Sequence, residues 1–247
     1  MRVVSWNCRS GFHRKIESLA TLAPDVAIVS ECANLEILAN KAPGLKPTSA
    51  LWVGTNPHKG LAVFSFGRHQ LQREDEYDPS IQYALPVRVE GPGKWHVLAL
   101  WAHHGLSGRT MSTRGPTLQA LTVYERFLRT RPSIVAGDLN NHIRWDKPGK
   151  QWNHANALAA FAGLGLVSAY HAFLGVEQGA EQHPTFYWRT RSEDGPTYHI
   201  DYVFVPQDSV SQLNSVVVGS RSEWIASGLS DHAPLIVDLD SGSWADG

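Results

Sequence analysis

The sequence predicts a layered α/β fold over residues 1–247 as a single domain: two β-sheets packed face to face, with helices on the outside. Two observations carry this. Strand-like runs fill both halves of the chain, and each half has its own helical patterns. No repeat, low-complexity tract or linker divides the series, and 247 residues with 43% hydrophobic content suffice for one sizeable core.

In order along the chain, Arg-Val-Val-Ser-Trp at 2–6 reads as a strand, 13–22 as a short amphipathic helix with Ile16, Leu19 and Leu22 on one side, and DVAIVSE at 25–31 as a second strand. ALWVGT at 50–55, GLAVFSF at 60–66, YALPVRVE at 83–90 and WHVLALWA at 95–102 read as four further strands. The longest helical pattern covers 114–130, and SIVAGDLN at 133–140 follows as a strand. A helix over 152–163 stops near Gly163 and Gly165, since glycine ends helices readily. Strands return at 185–189, 198–206, 214–219 and 233–239.

Composition removes several classes. Lys plus Arg number 22 against 23 for Asp plus Glu, so no global basic field exists and a polyanion must be met locally. The first residues lack the apolar core of a signal peptide, and no run approaches the ~20 apolar residues of a membrane helix. A cytoplasmic protein with no membrane insertion and no obligate protein partner is expected. Two cysteines, Cys8 and Cys32, make neither a disulfide framework nor a zinc pattern and are expected to be buried thiols.

Conspicuous polar clusters fall at strand ends: WN at 6–7, SE at 30–31, HH at 103–104, GDLN at 137–140, HID at 199–201 and SDH at 230–232. Strand ends in stacked sheets gather along an edge, where loops carry chemistry on a rigid scaffold. Asp138 and Asn140, two apart on a strand, point the same way and can address one substrate atom; the alternative is an Asx-turn that closes the strand. His199 and Asp201 repeat the spacing. A charge inside so apolar a strand is costly unless paired, so Asp201 either meets a histidine from another strand end or lies on an outward face. Glu31 is a solvated terminus or a ligand for a hard cation; Mg²⁺ is often held by one or two carboxylates, and Glu31 with Asp231 meets that need. Zinc spacing of the H-E-x-x-H kind is absent. Ser230, Asp231 and His232 look like a hydrolase triad, but adjacent residues on an extended segment diverge and no Gly-x-Ser-x-Gly exists, so Ser230 reads as a turn-steadying residue.

Taken in order, these clusters, ending in HIDYVF at 199–204 and SDHAPL at 230–235, resemble the endonuclease/exonuclease/phosphatase superfamily over residues 3–239. The resemblance implies a DNase I-like four-layer α/β sandwich, two packed mixed β-sheets flanked by helices, and Mg²⁺- or Mn²⁺-dependent phosphoester cleavage. It implies metal binding by Glu31 with Asn7 and Asp231, and activation of water or contact with phosphate by Asp138 and Asn140. It further implies that Asp201 fixes the tautomer of His232, the general base or charge stabiliser, and that His103 contacts phosphate or assists the leaving group. Exonuclease III-type members carry tyrosine where His103 aligns, which leans toward the DNase I, sphingomyelinase and phosphatase branches. TFYWR at 185–189, by contrast, is similar to the aromatic segment that repair nucleases place beside a flipped nucleotide. His103 is favoured over His104 because it continues the alternation of Ala99 and Trp101.

Arg109, Arg114, Arg144, Lys147, Lys150, Arg189 and Arg191 lie near the expected rim, interleaved with Trp145, Trp152 and Trp188, a pattern that suits stacking on bases along a phosphate backbone. The alternative is a solvated rim over core tryptophans. Arg114, Asn141, Trp188 and Arg189 are the candidate substrate contacts. A nuclease acting on DNA or RNA is expected first. A phosphatase or small-molecule phosphodiesterase of the same fold stands second, and a binding module without catalysis third.

Overall fold

The computed structural model describes residues 1–103, 115–188 and 195–240. Arg109, Arg114, Arg189, Arg191 and His104 lie outside the described residues, as does the first residue of the helix expected from 114.

Fourteen strands are described: β1 (Arg2–Asn7), β2 (Val26–Cys32), β3 (Ser49–Asn56), β4 (Lys59–Ser65), β5 (Gln70–Arg73), β6 (Ala84–Glu90), β7 (Lys94–Trp101), β8 (Ser133–Asp138), β9 (Leu166–Ser168), β10 (Phe186–Tyr187), β11 (Thr197–Tyr198), β12 (Asp201–Pro206), β13 (Leu213–Val218) and β14 (Leu235–Leu239). The helices are α1 (Ile16–Ala20), α2 (Leu35–Lys41), α3 (Gly115–Val123), α4 (Glu125–Thr130), α5 (His154–Gly163) and α6 (Ala169–Leu174). One six-stranded sheet runs β13-β14-β1-β2-β4-β3, the other β5-β6-β7-β8-β12-β9, and β10 with β11 forms a small ribbon. Both large sheets are mixed, with β1–β2 and β7–β8 parallel and the remaining pairs antiparallel.

Side-chain alternation builds the layers. Val3 of β1, Ile28 of β2, Val63 of β4, Val97 and Ala99 of β7, Ile134 and Ala136 of β8, and Val203 and Val205 of β12 meet in one core between the sheets. Their neighbours of opposite parity face outward. Val4, Trp6, Ala27 and Val29 pack with Leu19 of α1 and Leu38 of α2. Leu98, Leu100, Val135, Tyr202 and Phe204 pack with Leu121 of α3, Phe127 of α4 and Phe161 of α5. Strands buried on both faces account for the unbroken apolar run at 26–29, and each fully buried aliphatic side chain contributes about 1.5–3 kcal/mol.

Several expected elements are shorter or split. The helix at 114–130 breaks at Tyr124, whose φ of −95° and ψ of 15° leave the helical range. The helix at 13–22 is a 3₁₀ turn, Phe12–Arg14, followed by α1. The strand at 185–189 has two residues, and the strand at 198–206 is interrupted at His199 and Ile200. There Thr185 Oγ1 accepts the backbone N–H groups of Ile200 and Asp201, at 3.0 Å each. Cys8 and Cys32 are buried free thiols, as expected. No described helix is long and apolar enough to cross a membrane.

Candidate active site

The inter-sheet core ends at one edge in polar residues that continue its own parity. Asn7 follows Val3 and Ser5 on β1, Asp138 follows Ile134 and Ala136 on β8, and Asp201 precedes Val203 and Val205 on β12. The ladder places Asp138 directly opposite Asp201, and Asp138 beside Trp101 of β7. His232 arrives from the other sheet on the segment before β14, held by Ser230. The Ser230 hydroxyl donates to the Asn7 carbonyl at 2.7 Å and accepts the His232 N–H at 3.1 Å, which is the turn-steadying part expected of it.

Asn7, Asp138, Asp201 and His232 are all nearly inaccessible to solvent. His232 Nδ1 lies 2.7 Å from Asp201 Oδ2, so the acid inside the apolar strand has the histidine partner it requires. Asn7 Nδ2 donates to Asp138 Oδ2 at 2.9 Å and reaches Glu31 Oε1 at 3.4 Å. Burial, and then the neighbouring Asp201 carboxylate, push the Asp138 carboxyl well above its ordinary range. Burial opposes the charge on His232, but the adjoining Asp201 carboxylate outweighs it and holds the imidazole above its ordinary value. Asp201 Oδ1 is buried without a hydrogen-bond partner among the described residues, which leaves one acceptor of this carboxylate unused.

Asn140 reaches Asp138 by a different route from strand alternation. β8 stops at Asp138, and Asn140 turns into the left-handed region at φ 47°. Its backbone N–H donates to Asp138 Oδ1 at 2.8 Å and its Nδ2 to Asp138 Oδ2 at 3.0 Å. The arrangement is thus the Asx-turn, and the same turn brings the two side chains together. His199, two residues before Asp201, makes its contacts away from it. The break in the strand turns its ring onto Tyr170, at 4.3 Å between centroids, and its Nδ1 onto the His183 carbonyl, at 3.0 Å.

Glu31 is the extra residue of a β-bulge, since the register against β4 passes from Ser30–Leu61 to Cys32–Gly60. Its φ of 60° turns the carboxylate toward Asn7, Ser10 and Lys59, with Lys59 Nζ 3.2 Å from Oε2. Arg9, Ser10, Tyr83 and Asn140 also hold positive φ, so five of the six such non-glycine residues among the described residues surround this edge. Strain of this kind concentrates where geometry is dictated by function. Asp231 is partly exposed and pairs with Arg9 at 3.4 Å. The His103 ring, just beyond the end of β7, lies 4.5 Å from Trp101 and 5.7 Å from Tyr83.

Among the described residues, Asp138, Asp201 and His232 are the group whose metal-ligand-type atoms all lie within 4.8 Å of one another. As they stand these atoms are engaged with each other and with Asn7 and Asn140. Glu31 and Asp231 are instead partly open oxygen donors facing cations, the set a hard divalent ion selects.

Of the expected substrate contacts, Asn141 Nδ2 donates to the Trp152 carbonyl at 2.8 Å, which shapes the loop. Trp188 is 53% exposed and lies 6.0 Å from Phe186, whose ring sits 4.8 Å from His232. Lys59 went unnoticed in the sequence, whereas Phe186 belongs to the aromatic segment TFYWR singled out at 185–189. Lys59 stands at the start of a strand. Because β4 runs antiparallel to β2, its first residue reaches the site edge.

The description Endonuclease/Exonuclease/phosphatase family belongs to a family model that matches residues 4–232. No curated protein matches the chain in sequence. In structure, the chain is similar to a 3′ phosphatase, NExo, from Neisseria bound to product DNA hairpin, with 16% identity, 97% and 99% of the two chains covered and a TM-score of 0.71. An AP endonuclease from Archaeoglobus fulgidus gives 15%, 97% and 99%, and 0.71. An endonuclease/exonuclease/phosphatase from Beutenbergia cavernae gives 20%, 98% and 72%, and 0.63. These likenesses show the DNase I-like fold, and the match over residues 4–232 shows that the chain belongs to the endonuclease/exonuclease/phosphatase family.

Proposed function

We propose that this protein is a divalent-metal-dependent nuclease that hydrolyses phosphodiester bonds of DNA or RNA. The observation that carries the proposal is the pair of hydrogen-bonded units converging on one edge, Asp201–His232 and Asn7–Asp138–Asn140, with Glu31 beside them. Glu31, Asn7 and Asp231 would hold Mg²⁺ or Mn²⁺, which offsets negative charge on the phosphoryl oxygens. Asp201 keeps the proton on Nδ1 of His232, so that Nε2 faces the reacting phosphate and either accepts a proton or stabilises charge there. Asp138, fixed by three donors from Asn7 and Asn140, orients the attacking water and receives its proton; burial, which raises its affinity for a proton, suits that task. His103, packed on Trp101, contacts the phosphate or assists the leaving group. Phe186 and exposed Trp188 offer aromatic faces for bases, which favours a nucleic acid over a small phosphoester.

The test is purified protein with labelled single- and double-stranded DNA and RNA in Mg²⁺, Mn²⁺ or EDTA. Metal-dependent cleavage that disappears in Asp138→Asn and His232→Ala is expected, and intact substrates with either metal refute the proposal. A 3′-phosphorylated oligonucleotide belongs in the panel, because the Neisseria structure it resembles is a 3′ phosphatase. Release of inorganic phosphate without chain cleavage would move the assignment to a phosphatase acting on nucleic-acid ends.

A further inference from the structure

We infer that Lys59 is a substrate-binding residue, its ammonium group taking a phosphate oxygen of the nucleic acid beside Glu31. The inference rests on the nuclease reading above and adds to it a contact that decides how tightly the anion is held. Lys59 opens β4 at the tip of the β3–β4 hairpin, opposite Asn56. Its Nζ lies 3.2 Å from Glu31 Oε2 and 5.5 Å from the centroid of the Trp101 ring. The two oxygens of Glu31 therefore divide their partners, Oε1 toward Asn7 and Oε2 toward Lys59. Trp101 carries His103 on its ring, so the ammonium stands on the wall that joins Glu31 to His103.

Stability does not account for this placement. The Lys59 side chain is 38% exposed, and ion pairs so open to water contribute little to folding. Electrostatics gives the better reason. Glu31, Asp138, Asp201 and Asp231 put four carboxyl groups on the edge that a phosphodiester has to approach, offset in part by Arg9 on Asp231 and His232 on Asp201, and the charge left on the edge repels an anion. Lys59 is a cation in direct contact with that set and held within reach by the Trp101 face. With a divalent cation held at Glu31 the ammonium would lose its carboxylate partner, and the four-carbon stem lets Nζ move to an anion while its methylene groups stay on the indole.

The experiment compares Lys59→Met and Lys59→Arg with the parent, all in a His232→Ala background that keeps the oligonucleotide intact. Affinity for a fluorescein-labelled single-stranded oligonucleotide is read by anisotropy in Mn²⁺ over a series of salt concentrations. Lys59→Met is expected to weaken binding by about 10–100-fold, the range of one charge-assisted hydrogen bond, and to flatten the slope of log affinity against log salt by about 0.7. Lys59→Arg should keep most of the affinity and the slope. In a second measurement, Mn²⁺ titration followed by electron paramagnetic resonance without nucleic acid, Lys59→Met should bind the metal at least as tightly as the parent, since a cation has left Glu31. Unchanged affinity and slope in Lys59→Met overturn the inference. So does a loss of Mn²⁺ affinity matching the loss of oligonucleotide affinity, which would make Lys59 a support for Glu31 alone. The nuclease reading fails separately, when protein with native His232 and Lys59 leaves every oligonucleotide intact in Mg²⁺ and Mn²⁺.

Discussion

Gly137→Ala places one methyl group where the two strands beneath the site are closest. Gly137 lies in β8 at φ +147°, in parallel register with Leu100 of β7. A Cβ built there stands 1.7 Å from the Leu100 carbonyl oxygen and 2.7 Å from its carbon, both backbone atoms that no rotamer change can remove. Ordinary contact begins at 3.4 Å, so strands spaced about 4.8 Å apart must separate by roughly a third of that distance. Two or three ladder hydrogen bonds stretch or break at about 1 kcal/mol each. The alanine also adopts a backbone conformation costing about 1–3 kcal/mol. The expected destabilisation is about 3–6 kcal/mol, a large fraction of the 5–15 kcal/mol typical of a domain. Urea unfolding followed by tryptophan fluorescence measures it as a lower midpoint at unchanged slope. Because Asp138 is the next residue, activity of the folded fraction should also fall, by about 10²-fold for a displacement near 1 Å. A loss of stability below about 1 kcal/mol would refute the reasoning.

Three other outcomes are expected. Asp201→Asn removes the charge that holds His232 above its ordinary range, so kcat/KM should drop by about 10²–10⁴-fold and the limb of its pH profile due to the histidine should move to lower pH; an unmoved limb in an active variant counts against this assignment. Burial lowers His154 to about 4 and His199 to about 3, so these two groups bind fewer protons in the folded protein than in the unfolded chain below pH ~6.5. Their contribution to stability is therefore complete above that pH and is lost as pH falls toward 4 and 3, visible as a Tm that falls less between pH 7 and 4 in a His154→Phe variant than in the parent; an equal fall in both contradicts it. Phe161→Ala removes a fully buried ring stacked on Phe204 at 3.7 Å and 10°, at an expected cost of about 3–5 kcal/mol in urea unfolding.

The sequence was most legible where one period governed a whole element. Alternation along 2–6, 95–102 and 133–138 identified strands whose inward residues form the inter-sheet core, and it carried through to Asn7 and Asp138. It failed wherever the backbone left that period. Asn140 lies beyond the last extended residue of β8, and His199 precedes a break stabilised by Thr185, a residue 14 positions before it. Glu31 reads as an ordinary strand terminus because its bulge depends on pairing with β4, information that resides in another segment. Lys59 was missed for a related reason: a search for polar residues at the ends of strands passes over antiparallel strands that begin at the same edge. Split helices such as the one at Tyr124 were hidden because apolar spacing continued across the break.

Two links at the site, Asn7 Nδ2 to Asp138 Oδ2 at 2.9 Å and His232 Nδ1 to Asp201 Oδ2 at 2.7 Å, each join one large sheet to the other. Neither sheet alone owns a complete set of reactive groups, so a refolding chain with every strand paired but the sheets undocked is inert. Recovery of the proposed phosphoesterase activity during refolding would then time the docking step itself, lagging behind the return of secondary structure and coinciding with closure of the core between the sheets.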